Sequence, residues 1–278
     1  MTTAPALLAL SPGIRDEAGA EAVRSFVRAL GDGGTGAPVA LGFTGHAVPS
    51  PEEAVSELAA RGVRRLVTVP LTTDADGTHA AGGLPQGPSR AVAAQPGLEV
   101  VTGRPLGAHP LVLDALERRV DEALGERTRT PADRATTTVL LVGRGSGRAE
   151  DNAEVHRVAR LLWEGRGFAG VETAFVSVAA PDVASGLERC RALGARRIVV
   201  LPWSLFPDEL TRRMALQAEG WSGVYPETDV RVADVVGGAP EVAELVWQRY
   251  REALACQART GCDCCAHATV SSPVGEEG

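Results

Sequence analysis

The chain has no lysine, so every basic side chain in it is arginine. That absence excludes Schiff-base chemistry, attachment of pyridoxal phosphate and a Walker-type phosphate loop, each of which needs an amine. Long apolar runs are also missing; none approaches the ~20 residues of a membrane span. The opening Met-Thr-Thr-Ala-Pro-Ala lacks a basic stretch before its first apolar run, so no signal peptide is expected and the cytoplasm is the expected compartment. Cysteine is sparse until Cys256, after which Cys262, Cys264 and Cys265 follow closely. In that compartment such a cluster suits a metal or a redox group rather than a disulfide framework. Cys190 stands alone in a helical pattern and reads as core. The net charge of −7 argues against a general nucleic-acid binder. Arginine still suits an anionic ligand, because its guanidinium grips carboxylate and phosphate with two parallel hydrogen bonds.

What is present is one unit written twice. Residues 62–70 read Gly-Val-Arg-Arg-Leu-Val-Thr-Val-Pro, and residues 194–202 read Gly-Ala-Arg-Arg-Ile-Val-Val-Leu-Pro, a shift of 132. The same shift carries Gly13 onto Gly145, Phe43 onto Phe175 and Pro49 onto Pro181. It then falls to 130, carrying Gly107 onto Gly237 and Pro110 onto Pro240. Two copies are too few for a solenoid, and each is the size of a domain. The division expected from sequence is a domain over 1–126, a linker over 127–136, a second domain over 137–256 and a tail over 257–278.

Each copy alternates strand and helix. Strands are expected at 5–11, 38–44, 66–70 and 98–102, and again at 137–142, 171–178, 197–202 and 230–235. Helices are expected at 17–30, from Ser50 to Gly62, at 86–94 and at 110–125. Their counterparts fall at 150–164, 182–193, 208–219 and 240–255. This order implies an α/β fold, with parallel sheets, helices on both faces and right-handed crossovers. Ligands of such sheets sit at the carboxyl ends of the strands. The loops there are Ser11–Asp16, Thr44–Pro49, Leu71–Pro85, Gly143–Ala149 and Trp203–Glu209.

Four of these loops carry candidate chemistry. Asp74, Asp76 and His79 follow the first repeated strand, and His46 lies in a neighbouring loop. One or two imidazoles with two carboxylates suit a borderline divalent ion such as Fe, Co, Ni or Zn. Gly143-Arg144-Gly145-Ser146-Gly147 opens a helix, where backbone N–H groups favour an anion. Arg144, Ser146 and Arg148 there, with Arg15 in the matching loop, are candidates for substrate binding. The spacing is wrong for a dinucleotide fingerprint. His109 precedes the proline that opens a helix, and His156 lies on a helix face beside Arg157 and Arg160, where it reads as solvated. The tail thiols Cys256, Cys262, Cys264 and Cys265 suffice for an iron–sulfur cluster or a zinc ion.

With these residues in view, the chain resembles the long, two-copy sirohydrochlorin chelatases, the class II chelatases of sirohaem and cobalamin synthesis. The likeness is most specific in Gly143-Arg144-Gly145-Ser146, Asn152-Ala153-Glu154, Arg160-Leu161-Leu162-Trp163-Glu164, and Gly194–Pro202 with Leu205-Phe206. Cys262-Asp263-x-Cys265 is similar to the family's cysteine-bearing C-terminus, which holds a [2Fe–2S] cluster in some members. The resemblance implies two tandem flavodoxin-like (chelatase-like) domains. It also implies insertion of Fe²⁺ or Co²⁺ into sirohydrochlorin without ATP, with a catalytic histidine at His79 in Gly77-Thr78-His79. The departures from the family are specific. Its His-Gly-Ser-Arg is Pro12-Gly13-Ile14-Arg15 here, an acid expected two places after Phe43 is Gly45, and one before Leu84-Pro85 is Gly83. The expected partners are an anionic tetrapyrrole and a second copy joined through the cysteine tail, with neither nucleic acid nor membrane. The alternative expectation is a diverged relative that binds metal, cluster or tetrapyrrole, or serves another pathway, without chelating.

Overall fold

The computed structural model describes residues 4–33, 36–45, 47–73, 95, 97–125 and 130–257, except the side chains of 256 and 257. The first copy contributes β1 (Ala6–Ser11), α1 (Glu17–Asp32), β2 (Val39–Phe43), α2 (Pro51–Ala60), β3 (Arg65–Pro70) and β4 (Glu99–Thr102). Next come α3 (Pro110–Leu124) and α4 (Pro131–Ala135). The second copy then runs β5 (Thr137–Gly143), α5 (Ala149–Trp163), β6 (Gly170–Phe175), α6 (Val183–Ala192), β7 (Arg197–Pro202), α7 (Glu209–Val224), β8 (Asp229–Val232) and α8 (Pro240–Gln257). The expected helix at 86–94 lies outside the described residues.

Two fully parallel sheets result, ordered β2-β1-β3-β4 and β6-β5-β7-β8. Every residue of β1 and of β5 is buried, as befits central strands covered on both faces. The duplication extends to register. Leu7 pairs with Val39 and Val67, and Val139 pairs with Val171 and Val199. Arg65 opposes Glu99 as Arg197 opposes Asp229, so the two-residue loss in the second copy falls between its third and fourth strands. Each arginine bonds its cross-strand acid, at 3.3 Å and 3.0 Å. The caps repeat as well. Ser50 accepts from the Glu53 N–H to start α2, and Asp182 accepts from the Ser185 N–H to start α6.

Successive side chains of the second sheet point to opposite faces, and one face packs on α6 and α7. Leu140, Val142, Ala174, Val176, Ile198 and Val200 pack with Val183, Leu187 and Cys190 of α6 and with Met214, Ala218 and Trp221 of α7. Helices α3 and α5 pack against each other and on the strands. In the first sheet, Ala6, Leu8, Leu10 and Leu66 pack with Ala54, Val55 and Leu58 of α2.

The compact units in space are not the halves of the sequence. The first contains β1–β4, α1, α2 and α8 from Glu244 onward; the second contains α3–α7 and β5–β8. Helix α3, which follows β4 in sequence, therefore packs on β7, β8 and α5. It buries Val112, Leu113, Ala115, Leu116, Val120 and Leu124. Arg118 pairs with Glu241, and Arg231 donates to the Ala123 carbonyl at 3.2 Å. In return, Tyr250 of α8 donates its hydroxyl to the Pro5 carbonyl at 2.6 Å, and Arg104 pairs with Glu252 at 3.2 Å. The exchange is reciprocal in detail. Arg119 Nε donates to Val235 O at 2.7 Å, and Arg249 Nε donates to Pro105 O at 3.2 Å, each bond being the other shifted by 130. Arg119 also holds Glu122 at 2.6 Å, as Arg249 holds Glu252 at 2.8 Å. Periodicity identifies both helices but carries no information about which sheet each covers.

Three local differences from the sequence reading have physical causes. Within the expected linker, Thr130 and Asp133 form a reciprocal cap that starts α4. From that turn Arg134 reaches Asp121 at 3.1 Å and also pairs with Glu117, tying the segment to α3. Strand β6 ends at Phe175 rather than 178, because the chain turns sharply at Ser177-Val178-Ala179. Helix α7 runs on to Val224 rather than ending at 219, its last turn extended by Trp221, which is buried.

Candidate active site

In the strand order of each sheet, the loops after the first and third strands diverge, which opens the crevice where doubly wound folds bind ligands. In the second sheet these are the loops after β5 and β7, and one ion pair spans them. Arg144 approaches Asp208 at 3.6 Å. Arg144 is largely exposed at 69%, so its guanidinium is open to a ligand. Asp208 caps α7: its carboxylate accepts from the Thr211 N–H at 2.9 Å, and the Thr211 hydroxyl accepts from the Asp208 N–H at 2.9 Å. Asp208 stands at the repeat position of Asp76, as Thr211 stands at that of His79.

Ser146 is engaged on all sides. Its hydroxyl donates to Asp151 at 2.7 Å and accepts from the Arg148 N–H at 3.1 Å. Its amide donates to Asn152 Oδ1 at 3.0 Å, and its carbonyl accepts from Asn152 Nδ2 at 2.8 Å. It thereby fixes the turn that leads into α5, whose cap residue, Arg148, makes no side-chain cap bond. Arg148 lies 3.9 Å from Asp151. Asn152, part of the Asn152-Ala153-Glu154 motif, clamps the loop with its amide.

The loop after β5 rests on the loop after β6. Ser177 donates both its N–H and its hydroxyl to the Arg144 carbonyl, at 3.1 Å and 3.3 Å. Gly145 has φ +87°, and a β-carbon there would lie 1.7 Å from the Ser177 carbonyl oxygen, so no other residue fits. The first copy brings the equivalent loops together at Gly13 and Gly45. A β-carbon on Gly45 would lie 2.6 Å from Gly13 Cα, so the Pro12-Gly13 loop occupies the space an acidic side chain would need to leave position 45. The Thr44 N–H and hydroxyl both donate to Ser11 O, at 2.9 Å and 3.3 Å. Arg15 is exposed, and no described residue pairs with it.

The loops after the third strands share a scaffold. Leu71 N–H donates to Leu10 O at 2.7 Å, and Trp203 N–H donates to Val142 O at 2.8 Å. Beyond Trp203 the second copy closes on itself. Trp203, Leu205 and Phe206 are buried, and Gly237 sits so close that a β-carbon would be 2.2 Å from Leu205 O. These side chains fill the interior of the loop. In the first copy, His46, Asp74, Asp76 and His79 lie outside the described residues, as do Cys262, Cys264 and Cys265 and the side chain of Cys256. Among the described residues no three His, Cys, Asp or Glu groups gather as a metal site.

The remaining singled-out residues fall elsewhere. His109 caps α3, its Nδ1 accepting from the Leu111 N–H at 3.3 Å. His156 is exposed, with Nδ1 2.9 Å from the Thr173 hydroxyl. Cys190 is fully buried, and burial pushes its thiol up to about 12, which leaves it inert.

Comparison with known proteins agrees with this architecture. Bacillus subtilis SirB with Fe³⁺ superposes with a TM-score of 0.74 at 21% identity, covering 92% of this chain and 98% of that one. SirB of B. subtilis subspecies spizizenii in complex with cobalt gives 0.71 at 19% identity, covering 92% and 97%. The fold is thus that of the chelatase-like proteins, two tandem flavodoxin-like α/β domains related by duplication. The CbiX family model matches residues 6–123 and again 138–253, and the chain belongs to that family. The sirohydrochlorin cobaltochelatase of Priestia megaterium is 30% identical over 219 residues, 79% of this chain and 70% of that protein. The sirohydrochlorin ferrochelatase of the same organism is 28% identical over 178 residues, 64% of each chain.

Proposed function

We propose that this protein is a metallochelatase that inserts Co²⁺ or Fe²⁺ into sirohydrochlorin or a closely related tetrapyrrole, for sirohaem or cobalamin synthesis. The observation that carries the reading is the family match over both copies, with a sirohydrochlorin cobaltochelatase at 30% identity. The reaction consumes one divalent ion and one metal-free macrocycle; as the metal–nitrogen bonds form, two pyrrole N–H protons are released. No electron transfer is needed. In this reading His79 ligates the incoming ion and takes up a proton, which an imidazole does near neutral pH. His46, Asp74 and Asp76 complete the ligand set. Arg15, Arg144 and Arg148 hold substrate carboxylates. Arg144 is the best supported of these, since a substrate carboxylate can replace Asp208 as its partner. Ser146 serves by fixing the shape of the Arg144 loop.

Cys256, Cys262, Cys264 and Cys265 are proposed to hold a [2Fe–2S] cluster or zinc, within one chain or shared in a homodimer. That group has no part in the insertion step. Among the described residues no helix is long and apolar enough to cross a membrane, and the proposed place of work is the cytoplasm.

The test is metallation of sirohydrochlorin by the anaerobically purified protein, followed by absorbance with Co²⁺ or Fe²⁺. A rate above spontaneous insertion, lost in His79→Ala, supports the reading; no gain over the spontaneous rate overturns it. The iron content and spectrum of the same sample test the tail. A second reading, a diverged relative that binds but does not chelate, is favoured by Pro12 at the position of a family histidine. Sirohydrochlorin bound without metallation by the natural protein, with metallation by Pro12→His, would establish it.

A further inference from the structure

Val178 is the one non-glycine residue with positive φ among the described residues, at +65°. It is also the most exposed large apolar side chain among them, at 77%. It is the centre of a γ-turn, in which the Ala179 N–H donates to Ser177 O at 2.7 Å. Left-handed backbone is unfavourable for a β-branched residue, and this tight turn is a strained one. Glycine would relieve the strain at no packing cost, since the side chain is out in solvent. The side chain therefore does not offset, within the described fold, the cost of this turn.

Its surroundings indicate a role for the side chain. The turn lies at the carboxyl end of β6, beside the Arg144 loop. The two loops are locked together by both Ser177 bonds to Arg144 O and by the close approach of Gly145 to Ser177 O. The Arg144 backbone is therefore tied to the turn that carries Val178, while its guanidinium reaches the other way, to Asp208 in the loop after β7, so an apolar knob and a cation flank the end of β5. By the shift of 132, Val178 also stands where the first copy has His46, a candidate metal ligand.

We propose that Val178 is a substrate-positioning residue, its isopropyl group bearing on the apolar face or rim of the macrocycle whose carboxylate Arg144 holds. This rests on the chelatase reading. A macrocycle with a hydrophobic ring and a charged fringe matches that arrangement; a small inorganic anion would need only the arginine.

The experiment measures the Kd for metal-free sirohydrochlorin by fluorescence, together with KM, kcat and urea stability, in the natural protein and in Val178→Gly, Val178→Ala and Val178→Asp. Losing the contact area of one valine is expected to raise Kd and KM about tenfold in Val178→Gly, with kcat unchanged. Its urea midpoint should rise, since strain is removed. Val178→Ala should weaken binding without that gain in stability, and Val178→Asp should weaken it further by repelling carboxylates. A higher urea midpoint with unchanged Kd and KM would overturn the proposal while leaving the chelatase reading intact. A natural protein that neither binds nor metallates sirohydrochlorin would overturn both.

Discussion

Arg249, 7% exposed near the end of the chain, donates its Nε–H to the carbonyl of Pro105 at 3.2 Å, across most of the sequence. Arg119 makes the same bond to Val235 in the other compact unit. Because each guanidinium also holds an acid one helical turn on, removing it would take a donor from two acceptors at once. Arg249→Ala and Arg119→Ala should each cost about 2–3 kcal/mol, read by urea unfolding. Arg249→Lys should recover little of it, since an ammonium lacks the fork that serves both partners. Equal stability in the alanine variants would show that these bonds only decorate the exchange.

Glu252 links the pair to the pH axis. Burial opposes its charge, but hydrogen bonds from Arg249, Gln248 and Arg104 outweigh that and hold its carboxyl at about 2, below the ordinary 4.5. Its contribution is therefore full above pH ~4.5 and lost as pH falls toward 2. Glu252→Gln should unfold at lower urea than the natural protein at pH 6, and the gap should close by pH 2. A gap that stays constant across this range would remove the linkage.

Gly45 faces Gly13, where a β-carbon would lie 2.6 Å from the glycine Cα. Restoring an acid by Gly45→Asp should thus cost about 1–3 kcal/mol unless the Pro12-Gly13 loop moves. On its own it should add no chelation. An aspartate accepted here without loss of stability, measured by thermal melting, would show that the loop yields.

A fragment over residues 1–126 contains a full copy of the repeat but lacks Leu245, Val246, Trp247, Tyr250 and Ala253, all buried. It also carries α3 without the β7 and β8 strands that α3 covers. It should bind a hydrophobic dye and show no cooperative melt, despite being a complete unit by sequence. A cooperative transition would mean that α3 can fold back onto its own sheet.

Most of the fold is legible in the sequence because duplication supplies an internal control. The strands of each copy, the changed shift between Pro70 and Gly107, and the helix start at Ser50 follow from residue patterns within a few positions of one another. The helix exchange does not, since the apolar faces of α3 and α8 look the same whichever sheet they cover. At the site, Arg144, Ser146 and Arg148 lie in the loop after β5, as their Gly-rich setting suggests. Asp208 was hidden as a member of an ordinary cap, though its register with Asp76 pointed to it. Val176-Ser177-Val178 alternates as a strand does, and a single positive φ leaves no mark on hydropathy, so the expected strand runs past the observed end of β6.

The helix exchange also sets an order of events at birth. When a ribosome has finished β4, the first sheet still lacks its closing helix, which begins to belong to it only at Glu244. At ~5–20 residues per second that wait is on the order of 10–30 s. Throughout it an apolar sheet face is without its cover, so chaperone capture on nascent chains should peak while the second copy is being translated. A premature stop anywhere in the second copy would leave the first copy, though fully translated, as unfinished as the second.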